Sequence, residues 1–120
     1  MELYRKTLLA VMALGFAWGG TPAWADECGP VPEAPAVVDG KTATMDELVA
    51  NSQAVKAFIA AADDWLDCNE AFVQSDAFKK LSTAEQQRRL DLNSRLLDER
   101  NAIGDRFNEQ VAAWKEAHPE

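Results

Sequence analysis

Three aspartates fall within five positions in the segment 63–67, and Glu70 follows three residues later. If this stretch is helical, Asp63, Asp67 and Glu70 project from one face, because residues three and four apart are neighbours on an α-helix. Carboxylate oxygens are the ligands that Ca²⁺ and Mg²⁺ prefer. The sequence therefore offers Asp63, Asp67 and Glu70 as candidates for a weak divalent-metal site. The alternative, which we favour, is a solvated acidic face with no metal.

Other groups that could carry chemistry are few. His118 is the only histidine, and a zinc site or a histidine-based catalytic pair needs partners that this composition does not supply. The serines have no flanking glycine elbow, and the glycines form no phosphate-binding loop. We therefore expect a protein that is not an enzyme and that binds no cofactor.

The cysteines point to a structural role. Cys28 and Cys68 are the only two, and they form no close C-x-x-C pair that would indicate redox activity. Both follow the export signal that residues 1–25 resemble, and two cysteines in an oxidising compartment usually pair. We expect one intramolecular disulfide between Cys28 and Cys68.

Residues 1–25 have the features of a cleaved signal peptide. Arg5 and Lys6 precede an apolar run from Leu8 to Trp18, and Ala23-Trp24-Ala25 fits the small-x-small cleavage pattern. A run of roughly 11 residues is well short of the ~20 that a membrane-spanning helix needs. We expect cleavage after Ala25, a periplasmic or secreted protein, and no membrane association afterwards.

The charge distribution is strongly acidic. The full chain has 12 basic and 20 acidic residues and a formal net charge of -8, and residues 26–120 retain 10 basic and 19 acidic residues. Residues 26–76 hold 11 of those acids and only two bases. This balance excludes a nucleic-acid partner, because such binding needs a basic patch. It favours cationic partners weakly.

Local signals divide the remaining chain into an extended part and a helical part. Pro30, Pro32 and Pro35 make residues 26–43 an extended strap that ends at the Asp39-Gly40 turn. Thr44, with Glu47 three residues later, predicts a capping box and a helix start. Ser82 and Glu85 predict a second one. The helical part is residues 44–120, with helices at about 45–75 and 83–117.

Both helices carry an apolar stripe with amphipathic spacing, which favours an antiparallel two-helix hairpin. Asn69, Asn93 and Arg100 lie in or beside the expected seam, where they would set its register, although Arg100 has Phe58 or water as alternative contacts. The first stripe comprises Leu48, Val55, Phe58, Ile59, Ala62, Trp65, Leu66, Phe72 and Val73, and the second comprises Leu90, Leu96, Leu97, Ile103, Phe107, Val111 and Trp114.

The expected disulfide has a geometric consequence. Cys68 lies about 36 Å along the first helix from Thr44, at 1.5 Å per residue. The strap from Cys28 to Thr44 can extend about 50 Å, so the bridge can form. The strap must then run back along the first helix, where Val31, Val37 and Val38 would cover apolar surface. The predicted fold class is all-α: an antiparallel two-helix hairpin with an N-terminal proline-rich strap held to helix one by a disulfide.

Two resemblances carry no activity to this chain. Cys28-Gly29-Pro30, the Asp39-Gly40 turn, Cys68 and the segment 106–115 resemble small exported, disulfide-stapled helical proteins of Gram-negative bacteria that have no assigned activity. The pattern of Asp63, Asp64 and Asp67 resembles the magnesium-diphosphate motif of isoprenoid synthases. Those enzymes enclose a prenyl chain in a large helical cavity, which two helices cannot form.

These observations favour a non-enzymatic exported protein that acts as a protein-interaction or structural module with an unknown protein partner. A homodimer is one way to cover apolar surface that a two-helix hairpin leaves exposed. One alternative is a periplasmic holdase-type chaperone. Another is a weak metal-binding protein or metal-assisted enzyme that uses Asp63, Asp64 and Asp67.

Overall fold

The computed structural model describes residues 28–119 and places three helices along them. Helices account for 74% of that range and no strand occurs within it, so the chain is all-α as expected. The helices are α1 (Met45–Val73), α2 (Asp76–Lys79) and α3 (Thr83–Ala117). The expected signal peptide, residues 1–25, and the first two residues of the expected strap lie outside the described range. Within that range, no helix combines the length and apolar character that crossing a bilayer requires.

The start of α1 is set by the expected capping box. The Thr44 hydroxyl oxygen accepts a hydrogen bond from the Glu47 backbone N–H at 3.1 Å. The Glu47 carboxylate in turn accepts from the Thr44 backbone N–H at 3.4 Å. Because both partners are satisfied by each other and the carboxylate faces the positive end of the helix dipole, the helix begins at a defined residue.

The end of α1 lies two residues before the expected boundary at about residue 75. The helix ends at Val73, and Ser75 adopts an extended backbone with φ -84° and ψ 162°. The Ser75 hydroxyl accepts from the Phe78 backbone N–H at 3.4 Å and so caps the single turn of α2. The helix stops early because Ser75 caps a new turn instead of extending the old one.

The third helix occupies the expected range, 83–117. Ser82 is its N-cap, and its hydroxyl accepts from the Glu85 backbone N–H at 3.2 Å. The Glu85 carboxylate lies 3.7 Å from the Arg88 guanidinium and does not complete the expected second capping box. The helix ends at Ala117, two residues before Pro119, which cannot continue it.

The two long helices touch in opposite sequence order. Asn69, late in α1, hydrogen-bonds to Arg89 near the start of α3. Asp63, earlier in α1, hydrogen-bonds to Arg100 farther along α3. The two helices share a core cluster formed by Val55, Phe58, Ala62, Trp65, Leu96 and Ile103.

The N-terminal segment, residues 28–43, has no regular structure but is held to α1 at several points. Cys28 and Cys68 form the expected disulfide, with their Cα atoms 5.6 Å apart. The Trp65 indole N–H donates to the Gly29 carbonyl oxygen at 3.1 Å. The Asn51 side chain accepts from the Val38 N–H and donates to the Ala36 carbonyl. Four side chains of this segment pack against the core cluster: Cys28, Val31, Ala34 and Val37.

Two leucines expected in the core are on the surface instead. Leu90 is 42% exposed and Leu97 is 43% exposed, whereas their neighbours Leu96 and Ile103 are fully buried. The apolar arc of α3 is wider than α1 and the N-terminal segment together can cover. Leu90 and Leu97 are therefore left on the side that the N-terminal segment does not reach.

Candidate interaction surface

The exposed leucines line a groove between α1 and α3. We call it the leucine groove and define it by Leu66 and Val73 of α1 and Leu90 and Leu97 of α3. Its volume is about 380 Å³, and no residue of the N-terminal segment lines it. The remaining lining residues are Asp67, Glu70, Gln74 and Asn93.

Helical periodicity explains the shape of the leucine groove. Leu66 and Val73 are seven residues apart, as are Leu90 and Leu97. Seven residues are two turns and about 10.5 Å, so each pair lies on one face of its own helix. The two apolar edges of the groove thus match in length, and each is a short line of aliphatic side chains.

A polar contact holds the helices together beside the groove. Asn69 is fully buried, and its amide donates to the Arg89 carbonyl oxygen at 3.4 Å and to the Asn93 side-chain oxygen at 3.2 Å. The Arg89 guanidinium donates back to the Asn69 oxygen at 3.3 Å and lies 4.2 Å above the Phe72 ring. A buried amide with specific partners fixes the register of the two helices, as expected for Asn69 and Asn93.

The charged groups that line the groove are both acidic. Asp67 and Glu70 are exposed, and neither carboxylate pairs with a cation among residues 28–119. No lysine or arginine lines the groove. The groove therefore presents aliphatic side chains beside two unpaired negative charges.

Asp63 is in a different situation. Arg100 donates to its carboxylate twice, from Nε to Oδ1 at 2.8 Å and from Nη2 to Oδ2 at 3.2 Å. This hydrogen bonding lowers the pKa of the Asp63 carboxyl below its ordinary value and raises the pKa of the Arg100 guanidinium. Arg100 thus lies beside the seam as expected, where its guanidinium pairs with Asp63 and also donates from Nη1 to the Asn101 side-chain oxygen at 3.4 Å.

The structure does not bring the candidate metal ligands together. Asp63 binds Arg100, whereas Asp67 and Glu70 belong to the leucine groove. Among residues 28–119, no group of three histidine, cysteine, aspartate or glutamate side chains is close enough to hold a metal ion. The acidic segment 63–70 is thus divided between an interhelical ion pair and a groove edge.

His118 has a contact that the sequence did not indicate. Its ring stacks on the Trp114 indole, with the ring centroids 4.3 Å apart and an angle of 17° between the planes. Its Nδ1 lies 2.9 Å from the Trp114 carbonyl oxygen. The histidine therefore covers the last turn of α3 and is not near the acidic residues of the groove.

A second depression lies between the N-terminal segment and α3 and is wider and more polar. Its volume is about 700 Å³, and its lining carries both signs of charge, with Asp39, Lys41, Arg106 and Glu109. Mixed charge around a shallow surface gives little preference for any one ligand.

Comparison with known proteins assigns no family. No protein-family model, curated protein or solved structure matches the chain.

Proposed function

We propose that this chain is an exported, non-enzymatic protein-binding module. In this proposal it is an antiparallel two-helix hairpin whose proline-rich strap is held to helix one by the Cys28–Cys68 disulfide. The opposite sequence order of the contacts made by Asn69 and Asp63 supports the hairpin. The disulfide supports export, because such bonds persist mainly in oxidising compartments.

The observation that carries the proposal is the exposure of Leu90 and Leu97. Both are more than two-fifths exposed, although they lie on a groove with two further aliphatic residues. Isolated apolar residues on a surface need no explanation, but a grouped set with a polar edge is typical of an interaction site. The groove is also next to the buried Asn69 contact, which joins the two helices that form its edges.

A holdase-type chaperone is the alternative function, and it would bind unfolded clients through the same exposed apolar residues. A holdase shields many unfolded clients and benefits from a broad apolar face. The leucine groove is only about 380 Å³ and has two aliphatic side chains along each edge. Its restricted size favours one partner segment. Failure of the purified protein to slow the aggregation of a reduced client protein would agree with this preference.

Site-specific photo-crosslinking in the native organism tests the proposal. A benzoylphenylalanine in place of Leu97 is expected to give one discrete adduct, and Leu90→Glu is expected to remove it. The matched control is the same group at Val49, which is 48% exposed but lies near the start of α1, away from the groove. Equal adducts from both positions, or none from Leu97, would contradict a binding role for the groove.

A further inference from the structure

We propose that the leucine groove binds a cationic amphipathic helix of a partner protein. Apolar side chains of that helix would lie between the aliphatic edges of α1 and α3, and its lysines or arginines would face Asp67 and Glu70. This inference rests on the proposed function and adds the chemistry of the partner.

The shape of the groove favours a helix as its occupant. Its two edges are helices, and their aliphatic residues recur at a spacing of seven, about 10.5 Å along each axis. A helix with apolar residues at positions i, i+3 or i+4, and i+7 presents a line of the same length. No strand occurs among residues 28–119, so this range offers no sheet edge for an extended peptide.

The charges favour a basic partner. Asp67 and Glu70 lie in sequence between Leu66 and Val73, so each carboxylate is within one turn of an aliphatic residue of the groove. Both are exposed, and neither has a cationic partner within the described range. Asp63, one turn before Asp67, shows the contrasting case of an acid neutralised by the chain's own arginine. Complementary charge at the edge of an interface selects the partner and speeds its association.

Two other occupants fit these observations less well. The N-terminal segment lines no part of the groove and is tied to Cys68 on α1. A second copy of residues 26–120 would bring 19 acidic against 10 basic residues, and a second Asp67 and Glu70, towards the first. Like charges at the edge of an interface oppose association. A partner of opposite charge has neither disadvantage.

Three synthetic helical peptides of equal length provide the probe. Each has the same leucine face, and the polar face is lysine in the first, glutamine in the second and glutamate in the third. We expect the lysine peptide to bind the disulfide-bonded full chain at least about tenfold more tightly than the glutamine peptide. The glutamate peptide is expected to bind most weakly. Fluorescence anisotropy measures all three affinities.

Paired variants separate the groove from the general charge of the protein. Asp67→Asn with Glu70→Gln is expected to bring the affinities of the lysine and glutamine peptides to within about twofold of each other. The control, Asp64→Asn with Glu99→Gln, changes net charge equally at two exposed residues that do not line the groove, and it should keep the preference. Leu97→Asp should abolish binding, whereas Val49→Asp should not. Circular dichroism checks that each variant is folded.

Each contrary result has a distinct meaning. Equal binding of the lysine and glutamate peptides, still dependent on Leu97, would overturn the cationic partner but leave the proposed function in place. Loss of the preference in the control pair would overturn the role of Asp67 and Glu70. Absence of binding by all three peptides would overturn the helical occupant, and the crosslinking experiment would then decide the proposed function separately. A homodimer that Leu97→Asp dissociates would make a second copy the occupant and overturn the inference.

Discussion

Arg100 binds the carboxylate of Asp63 with two parallel hydrogen bonds across the interface between α1 and α3. The two residues are 37 positions apart in the sequence, so the pair joins the middle of one long helix to the middle of the other. The pair is a second polar contact between the helices, besides the one made by the buried Asn69. The two contacts together define the register of α1 against α3. The Asp63–Arg100 pair also occupies one of the acids that would otherwise be available to a cation.

The first prediction concerns pH. Since Arg100 lowers the pKa of Asp63 in the folded chain, the pair stabilises the fold above the ordinary aspartate pKa. This contribution is lost as the pH falls through the lowered pKa of the folded state. We would measure urea unfolding from about pH 7 down to about pH 2. The free energy of unfolding should fall less steeply with decreasing pH for Asp63→Asn than for the wild type.

The control for this prediction is Asp64→Asn. Asp64 is exposed and forms no ion pair with Arg100. It should follow the wild-type pH profile. Identical profiles for Asp63→Asn and the wild type would show that the pair contributes nothing to folding.

The second prediction concerns Asn69. Asn69→Ala leaves the Arg89 and Asn93 side chains without their buried partner, and this should lower the free energy of unfolding by about 1–3 kcal/mol. Asn108→Ala, at an exposed position of α3, should change it by less than about 0.5 kcal/mol. Chemical denaturation measures both. Equal effects of the two substitutions would mean that the Asn69 contact does not hold the helices.

The third prediction concerns the disulfide. The bond joins residues with a sequence separation of 40, and the entropy of closing such a loop corresponds to about 4 kcal/mol. Replacing both Cys28 and Cys68 with serine should therefore lower the melting temperature strongly. Reductant should lower the wild-type value to the same extent and leave the double variant unchanged. A wild-type protein that melts at the same temperature with and without reductant would contradict a structural role for the bond.

The fourth prediction compares two glycines. A Cβ on Gly40 would overlap the main-chain carbonyl of Gln110 and approach the Trp114 nitrogen, so Gly40→Ala must displace the N-terminal segment from α3. We expect a loss of about 1–3 kcal/mol or more in unfolding free energy. A Cβ on Gly104 meets nothing within 4 Å, so Gly104→Ala should raise helix stability by about 1 kcal/mol. The melting temperature should therefore fall for Gly40→Ala and rise for Gly104→Ala. Changes of the same sign would contradict this packing.

Helix starts could be read from the sequence because their causes are local. The bond between Thr44 and Glu47 and the cap at Ser82 each span three residues, so residue type and spacing suffice. The end of α1 was less predictable. A serine at position 75 can either extend the first helix or cap the next one. Which of the two occurs depends on the contacts of the turn that follows.

The long-range features could not be derived in the same way. Leu90 and Leu97 are aliphatic residues seven positions apart, as are the buried Leu96 and Ile103, and only the packing of α1 and the N-terminal segment decides which pair is covered. The acidic segment 63–70 was a candidate metal site because its acids are neighbours in sequence. Its division between Arg100 and the leucine groove follows from how α1 and α3 pack.

Mapping the bound peptide by NMR tests the binding role of the leucine groove most directly. The ¹⁵N-labelled, disulfide-bonded chain would be titrated with the leucine-lysine peptide, and backbone amide shifts would be followed. We expect saturable shifts confined to residues 66–74 and 90–97, with those of residues 28–43 unchanged. Shifts concentrated in residues 28–43, or small shifts spread over all exposed amides without saturation, would contradict a specific site in the groove.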